Sequence, residues 1–323
     1  MKKILSKKRC IMLLLILMIV FLCNNNVKAY TNDADIIDEN DILESNIEDN
    51  YTIIEYDSKT GIKKEIDTNK LREDTRRLDL LTGSNPNCTE PYDPLQNKNH
   101  KSQMTPYSDF SLIQNTSEFP YRVTCRLKYD VYGREGIASG FLVGPNILLT
   151  AAHCVLNQDD YDKTFADWVA YPGYTNGNPY NGIGSGWSKI YYPSKWPSTH
   201  ANDLDWCLCI LNEDIGSQVG WYGAQAYGTN GEMNGISVKA LGYPNIANGV
   251  FQYYSLGNIK NTHTRYFDST AKSTGGMSGG PFARTSDNYA VGIIKGTYKY
   301  DENKSYGVRI TQQIIDMIKQ NRK

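Results

Sequence analysis

The sequence predicts an all-β fold that ends in one helix, and two observations support this prediction. The 323 residues include 27 glycines and 24 tyrosines, and long stretches rich in Ala, Leu, Glu and Lys are missing. Glycine favours turns and tyrosine favours strands. After residue 120, short apolar stretches alternate with turn residues, and this spacing is typical of β-sandwiches and barrels.

Eight stretches in this part of the chain are rich in β-branched and aromatic residues and predict strands: residues 121–129, 136–143, 146–150, 206–211, 236–242, 251–257, 290–295 and 306–310. The C-terminal end has a different pattern. Ile314, Ile315 and Ile318 fall on one helical face, and Thr311 is a suitable N-cap. We therefore predict a C-terminal helix at residues 311–320.

The first 29 residues have the organisation of a secretory signal peptide. Five basic residues precede an apolar stretch at residues 11–23, and Val27 and Ala29 are the small residues at the cleavage positions. The apolar stretch is shorter than the ~20 residues that a membrane-spanning helix needs. We therefore predict a secreted, extracellular protein with no membrane contact after processing.

Residues 30–101 differ in charge from the rest of the chain. They contain 17 acidic and nine basic residues, whereas residues 102–323 contain 18 and 19. Residues 30–58 carry ten acidic residues and no Lys or Arg, so we expect this stretch to be exposed. Residues 52–56 nevertheless have the pattern of a hairpin strand, with turn residues at 57–61.

The strongest chemical signal is at residues 275–281, which read Gly-Gly-Met-Ser-Gly-Gly-Pro. A nucleophilic serine must lie on a sharp turn that exposes its hydroxyl and directs backbone N–H groups at the developing oxyanion. Glycines allow the backbone angles and the close approach that such a turn requires. This pattern makes Ser278 the candidate nucleophile.

A candidate general base follows an apolar strand in the first half of the chain. Residues 147–149 lead into Thr-Ala-Ala-His-Cys at residues 150–154, so the strand delivers an imidazole into a turn of small residues. His153 is one of only four histidines. An imidazole in this position can reach a neighbouring hydroxyl, and we predict that it accepts the serine proton.

Two carboxylates compete for the third catalytic position. Asp203 and Asp205 both precede the apolar strand at residues 206–211. A carboxylate at this point can hold the tautomer of the imidazole and stabilise its charged form. Asp205 is favoured over Asp203 because the alternating residues of the strand begin directly after it.

These three segments resemble the trypsin/chymotrypsin-like serine peptidases, in which His, Asp and Ser occur in this chain order. The chain is most similar to the secreted bacterial glutamyl endopeptidases, on residues 115–122, the Asp205 strand and residues 306–311. The resemblance extends from about residue 114 to residue 318. It implies a two-barrel chymotrypsin-like fold, with barrels at roughly 102–225 and 226–310.

The resemblance also assigns the chemical roles. Ser278 attacks the scissile carbonyl, His153 transfers the proton and Asp205 orients His153, while the backbone N–H groups of Gly276 and Ser278 form the oxyanion hole. The reaction needs no metal or other cofactor. The expected partner is a protein or peptide substrate of a monomeric enzyme, and the net charge of −1 gives no indication of a nucleic-acid partner. The alternative is a catalytically silent, protease-like binding or adhesion module.

Glutamyl endopeptidases carry a hydroxyl residue and a histidine in the specificity pocket. Ser273 matches the hydroxyl position, whereas the histidine position falls on Ile294, or on Ile293 in a shifted alignment. Lys272 and Lys295 are adjacent to these positions and could pair with a substrate carboxylate, which requires a charge or hydrogen bonds when it is buried. We predict substrate contacts from these four residues and a preference for Glu or Asp before the cleaved bond. An apolar pocket formed by Ile294, with both lysines in solvent, is the alternative.

Residues 52–66 resemble the propeptides of the same family. Together with the charge imbalance, this predicts a propeptide at residues 30–101, followed by a peptidase domain at residues 102–323. The favoured processing point lies between Lys101 and Ser102, and the pair Arg76–Arg77 is the alternative. Trypsin-like zymogens pair the new N-terminus with an acidic residue just before the nucleophile. That residue is Met277 here, so we expect activation without this ion pair.

Overall fold

The computed structural model describes residues 36–37, 51–95, 110–131, 134–156, 168–228 and 230–322. In chain order its strands are β1 (Ile36–Ile37), β2 (Ile53–Asp57), β3 (Lys63–Ile66), β4 (Cys88–Thr89), β5 (Ser111–Leu112), β6 (Thr124–Val131), β7 (Arg134–Leu142), β8 (Ile147–Thr150), β9 (Val169–Pro172), β10 (Trp187–Pro193), β11 (Cys207–Leu211), β12 (Gly223–Gln225), β13 (Ser237–Gly242), β14 (Tyr253–Lys260), β15 (Tyr266–Ser269), β16 (Pro281–Arg284), β17 (Tyr289–Tyr298) and β18 (Ser305–Arg309). The α-helices are α1 (Thr68–Thr82), α2 (Trp196–Thr199), α3 (Ile215–Val219) and α4 (Gln312–Asn321).

The strands form two barrel-like sheets. The first sheet has eight strands in the order β3-β2-β10-β11-β8-β7-β6-β9. The second has the order β16-β13-β14-β15-β18-β17-β12-β4, with β1 added to β17, β5 added to β14, and a further pairing of β16 with β17. This arrangement confirms the predicted all-β architecture.

Each sheet buries the apolar side chains that predicted its strands. Leu127, Phe141 and Leu148 are fully buried in the larger core cluster, and Val238 and Phe282 are fully buried in a smaller one. Each such side chain contributes roughly 1.5–3 kcal/mol on burial. The two clusters hold the loops between the strands in place, and these loops carry the candidate chemistry.

Helix α4 confirms the predicted C-terminal helix. It spans Gln312–Asn321, one residue later at each end than the predicted residues 311–320. Ile314, Ile315 and Ile318 are buried in the larger core cluster, so the predicted apolar face is the packed face. Thr311 occupies the N-cap position with an extended backbone, but its hydroxyl makes no capping hydrogen bond. Packing of the isoleucines therefore stabilises this helix more than its cap does.

Residues 51–57 contradict the expectation that all of residues 30–58 are exposed. β2 pairs antiparallel with β10, from Ile53 opposite Pro193 to Asp57 opposite Lys189, and Ile53 is fully buried. Ile53 packs into the core in spite of the acidic composition around it, and the strand extends the first sheet. The predicted hairpin turn follows, where Asp57 Oδ1 accepts the N–H groups of Lys59 and Thr60 at 3.0 Å.

Helix α1 packs against α4 through two ion pairs. Arg72 Nη1 lies 2.9 Å from Asp316 Oδ1, and Lys319 Nζ lies 2.6 Å from Asp79 Oδ1. Asp79 and Asp316 are buried, so these pairs lie at the helix interface rather than on its surface. Residues 51–95 are therefore joined to the two barrels by a strand ladder, by β4 on β12, and by this helix interface.

Candidate active site

Strands β8 and β11 bring His153 and Asp205 together. They are antiparallel neighbours, with Thr150 opposite Cys207. His153 lies in a short 3-10 turn directly after β8, and Asp205 follows another such turn just before β11. The end of one strand and the start of the other therefore meet at one edge of the first sheet.

The two side chains form a fully enclosed pair. His153 Nδ1 lies 2.7 Å from Asp205 Oδ2, and the backbone N–H of His153 donates to Asp205 Oδ1 at 3.0 Å. His153 is 2% exposed and Asp205 is 0% exposed. The competing carboxylate of Asp203 lies elsewhere, 2.7 Å from Nε of Arg265. Of the two candidates, the structure brings Asp205 to the imidazole.

Burial and neighbouring charges act in opposite directions on this pair. Burial alone would raise the pKa of Asp205, but the charges of His153 and Lys295 and the hydrogen bonds from His153 lower that pKa to about 2. Burial would lower the pKa of His153, but the Asp205 charge holds the pKa of His153 well above its usual range. At neutral pH the carboxylate is therefore ionised and can hold the imidazole through Nδ1.

Ser278 lies in the turn before β16, close to the His153 turn. Its Oγ donates to the carbonyl of Lys295 at 3.0 Å. Its own carbonyl accepts the N–H of Ser139 at 2.9 Å and lies 3.5 Å from Cys154 Sγ. Cys154 Sγ also lies 3.6 Å from His153 Nε2, so one thiol contacts both the imidazole and the serine turn. Sequence reasoning missed the roles of Ser139 and Cys154, although Cys154 directly follows the candidate base.

The glycines that flank Ser278 are required by the backbone. Gly276 and Gly279 have φ angles of +88° and +82°, which side-chain-bearing residues rarely adopt. A Cβ on Gly279 would lie 2.1 Å from Thr150 Oγ1, and one on Gly276 would lie 2.5 Å from the Tyr243 carbonyl. The Gly276 carbonyl accepts Ser139 Oγ at 2.8 Å, which fixes the peptide that follows it.

The predicted pocket hydroxyl of Ser273 belongs to a cluster of hydroxyl groups. Ser273 Oγ lies 2.8 Å from Ser305 Oγ and 3.2 Å from Thr297 Oγ1. Thr297 and Ser305 are opposite each other on β17 and β18. Sequence reasoning missed both, because neither belongs to a local motif and only the strand pairing brings them to Ser273.

The other three predicted pocket residues differ in their surroundings. Lys272 is half-buried, and its backbone N–H donates to Ser255 Oγ at 2.9 Å. Ile294 is fully buried in the smaller core cluster, among residues such as Met277 and Phe282. Lys295 is also buried, with Nζ 3.3 Å from Asp205 Oδ2. Its charge is thus paired with the carboxylate beside His153, which differs from the predicted pairing with a substrate.

Metal binding has no evident site in the ranges that the structure describes, where no three His, Cys, Asp or Glu side chains form a group that could hold an ion. The arrangement of His153, Asp205 and the Ser278 turn is instead one that supports nucleophilic catalysis by a serine.

The chain is similar to known peptidases. A family model described as Trypsin matches residues 113–318. The glutamyl endopeptidase of Bacillus licheniformis is 28% identical over 217 residues, which are 64% of this chain and 65% of that protein. The extracellular metalloprotease of Bacillus subtilis is 29% identical over 210 residues, with the same coverage of each chain. The matched region thus spans just under two thirds of each relative.

A solved structure agrees with this comparison. The structure of a Glu endopeptidase in complex with MPD aligns with a TM-score of 0.56 and 22% identity, and it covers 65% of this chain and 95% of that one. Because only 22% of the aligned residues are identical, this structural similarity shows a shared fold alone. The family model covers more than half of the chain, and this chain therefore belongs to the trypsin family of serine peptidases.

Proposed function

We propose that this protein is a secreted serine endopeptidase that hydrolyses peptide bonds in protein or peptide substrates, with Ser278, His153 and Asp205 as its catalytic triad. The observation that carries the proposal is the enclosed pair of His153 and Asp205, with Nδ1 and Oδ2 2.7 Å apart, next to the glycine turn of Ser278. A buried ionised carboxylate on Nδ1 leaves Nε2 as the proton acceptor.

In the proposed mechanism, Nε2 of His153 takes the Oγ proton of Ser278 as Oγ attacks the substrate carbonyl. The backbone N–H groups of Gly276 and Ser278 stabilise the resulting oxyanion. The C–N bond then breaks, and His153 gives the proton to the leaving amine. Water, deprotonated by the same imidazole, then attacks the acyl carbonyl. The C–O bond to Ser278 breaks, the imidazolium returns the proton to Oγ, and the carboxylic acid product leaves.

A fluorophosphonate probe distinguishes the enzyme from a silent binding module. We expect covalent labelling of the processed protein at Ser278, because an activated serine reacts with such probes. The Ser278→Ala variant should lose labelling, whereas Ser198→Ala, a change at an exposed serine, should label as the original protein does. If correctly processed protein takes up no probe, the binding or adhesion module becomes the better assignment.

For specificity, we propose that the enzyme prefers Glu or Asp before the cleaved bond. The hydroxyl cluster of Ser273, Thr297 and Ser305 can donate hydrogen bonds to a substrate carboxylate, and Lys272 is the nearest predicted cation in sequence. Lys295 is not included in this proposal because its charge is paired with Asp205. Ile294 is likewise left out because it is enclosed in the core.

Peptides that differ only at the residue before the cleaved bond (Glu, Gln, Leu, Phe and Lys) test this preference. We expect kcat/KM to be highest for Glu. Lys272→Ala should reduce the advantage of Glu over Gln by about tenfold or more, since a hydrogen bond to a charged group is worth roughly 1.5–3 kcal/mol. Lys260→Ala, a change at an exposed lysine, serves as control. Cleavage after Leu or Phe that equals or exceeds cleavage after Glu contradicts the proposal.

We also propose that residues 1–29 direct secretion and that residues 30–101 are a propeptide. In the described part of the chain, no helix is long and apolar enough to cross a membrane. β1 of this leader pairs in parallel with Thr297 and Tyr298 of β17, and Ile37 is 2% exposed. This strand would thus cover β17 beside the hydroxyl cluster, which supports an inhibitory role for the leader.

N-terminal sequencing of the secreted protein tests this division. We expect a mature N-terminus at Ser102, a position outside the described residues. Cleavage at Arg76–Arg77 is less favourable, because both residues lie in helix α1 and a helix must unwind before its backbone can enter a peptidase cleft. Met277 is fully buried in an apolar cluster, which supports activation without an ion pair at that position. A secreted protein whose single N-terminus lies near Tyr30, with none at Ser102, contradicts the propeptide assignment.

A further inference from the structure

Lys295 occupies an unusual position for a lysine. It lies in β17 where the register with β18 shifts between Ile294 and Gly296, so it is the extra residue of a β-bulge. Bulges change the direction of a side chain and are frequent next to active sites. Lys295 is only 5% exposed, whereas most lysines keep their ammonium group in solvent.

The ammonium group lies against the triad carboxylate. Nζ is 3.3 Å from Asp205 Oδ2, the same oxygen that His153 Nδ1 approaches to 2.7 Å. Asp205 Oδ1 accepts the backbone N–H of His153. His153 therefore supplies one donor to each oxygen of the Asp205 carboxylate, and Lys295 adds a third donor and a positive charge. A buried cation is costly unless it is paired, and here its pair is the group that orients the imidazole.

Three titratable groups on the elements packed around His153 influence its charge state. Asp205 contacts Nδ1, Cys154 Sγ lies 3.6 Å from Nε2, and Lys295 Nζ lies 3.3 Å from Asp205 Oδ2, while Ser278 lies in the adjacent turn. Burial lowers the pKa of His153, Asp205 and Cys154 raise it, and Lys295 lowers it. Lys295 therefore opposes the effect of Asp205 on the imidazole.

We propose that Lys295 is a positioning residue of the triad, which holds the Asp205 carboxylate in place and offsets part of its charge. His153 then remains neutral, and able to accept the Ser278 proton, at lower pH than it would beside Asp205 alone. This inference rests on the proposed function, since it assigns a role within the same triad.

The pH dependence of kcat/KM tests this role, because its acidic limb reports the essential base of the free enzyme. Lys295→Met removes the charge and the donor, while Lys295→Gln removes the charge and keeps an N–H donor. A nearby charge typically shifts a pKa by one unit or more, so we expect the acidic limb of both variants to move upward by about one pH unit. The plateau value of kcat/KM should fall further in the Met variant than in the Gln variant, because only Gln keeps a donor for the Asp205 carboxylate.

Lys239→Met is the matched control, because Lys239 is a buried lysine of the second sheet whose Nζ donates to Asn288 at 2.9 Å. The acidic limb of the kcat/KM profile of Lys239→Met should coincide with that of the original protein. The original protein is measured in the same assay; if it is inactive, the proposed function fails. If it is active and neither Lys295 variant shifts the limb, or if Lys239→Met shifts it equally, the inference about Lys295 is wrong. A Gln variant that does not fold also overturns it, since Lys295 would then act on the whole fold.

Discussion

Replacing Ser278 with alanine should reduce kcat/KM by at least about 10⁴-fold, because the loss of a triad nucleophile leaves only the contribution of substrate binding and the oxyanion hole. The fold should be retained. The substitution removes a single hydroxyl, whose hydrogen bond goes to the carbonyl of Lys295, and it leaves the surrounding glycines unchanged. Hydrolysis of a protein substrate by purified, mature protein measures the effect, and circular dichroism checks the fold.

The exposed Ser198 again provides the control for this experiment. Ser198→Ala should hydrolyse the substrate at the original rate. If the Ser278→Ala protein kept even a tenth of the original turnover, the nucleophile would have to be another residue. Loss of activity together with loss of the β-sheet spectrum would mean that the serine is needed for folding, which also contradicts the assignment.

Gly279→Ala should damage both activity and stability. The residue has a φ of +82°, and the new Cβ would lie 2.1 Å from Thr150 Oγ1 and 2.2 Å from the Ser139 carbonyl. The backbone must therefore move, and the N–H groups of the Ser278 turn move with it. We expect turnover to fall by about 10²–10³-fold, the effect of losing one oxyanion donor. The free energy of unfolding should fall by about 2–5 kcal/mol, from backbone strain and overpacking together.

A substitution at Gly182 separates backbone strain from overpacking as causes of the lost stability. Gly182 has a φ of +73°, but a Cβ there meets nothing within 4 Å. Gly182→Ala should therefore show only the backbone penalty, about 1–2 kcal/mol, with full activity. Thermal unfolding and peptide hydrolysis measure the two quantities for both variants. Equal behaviour of the two variants would show that contacts around Gly279 do not constrain the Ser278 turn.

The fold and the candidate triad could be predicted because their signals are local. The strands have their own apolar stretches, and the turns of His153 and Ser278 each carry a short motif. The position of Lys295 could not be predicted in this way. Its partner Asp205 is ninety residues away, and the two meet only in the folded sheets, where Lys295 lies at a shift in the β17–β18 register. Similarly, acidic composition predicted exposure for residues 51–57, whereas the pairing of β2 with β10 decides their burial.

The docking of residues 51–95 on the barrels has a consequence for processing. A cut between Lys101 and Ser102 would divide the polypeptide but would leave the β2–β10 ladder and the ion pairs between α1 and α4 intact. A further ion pair, between Asp93 and the buried Arg122, would also hold the pieces together. The product of that cut is then a complex of a short and a long chain, which separate on a denaturing gel and comigrate in native sieving. Maturation would end only when the short chain dissociates or is degraded.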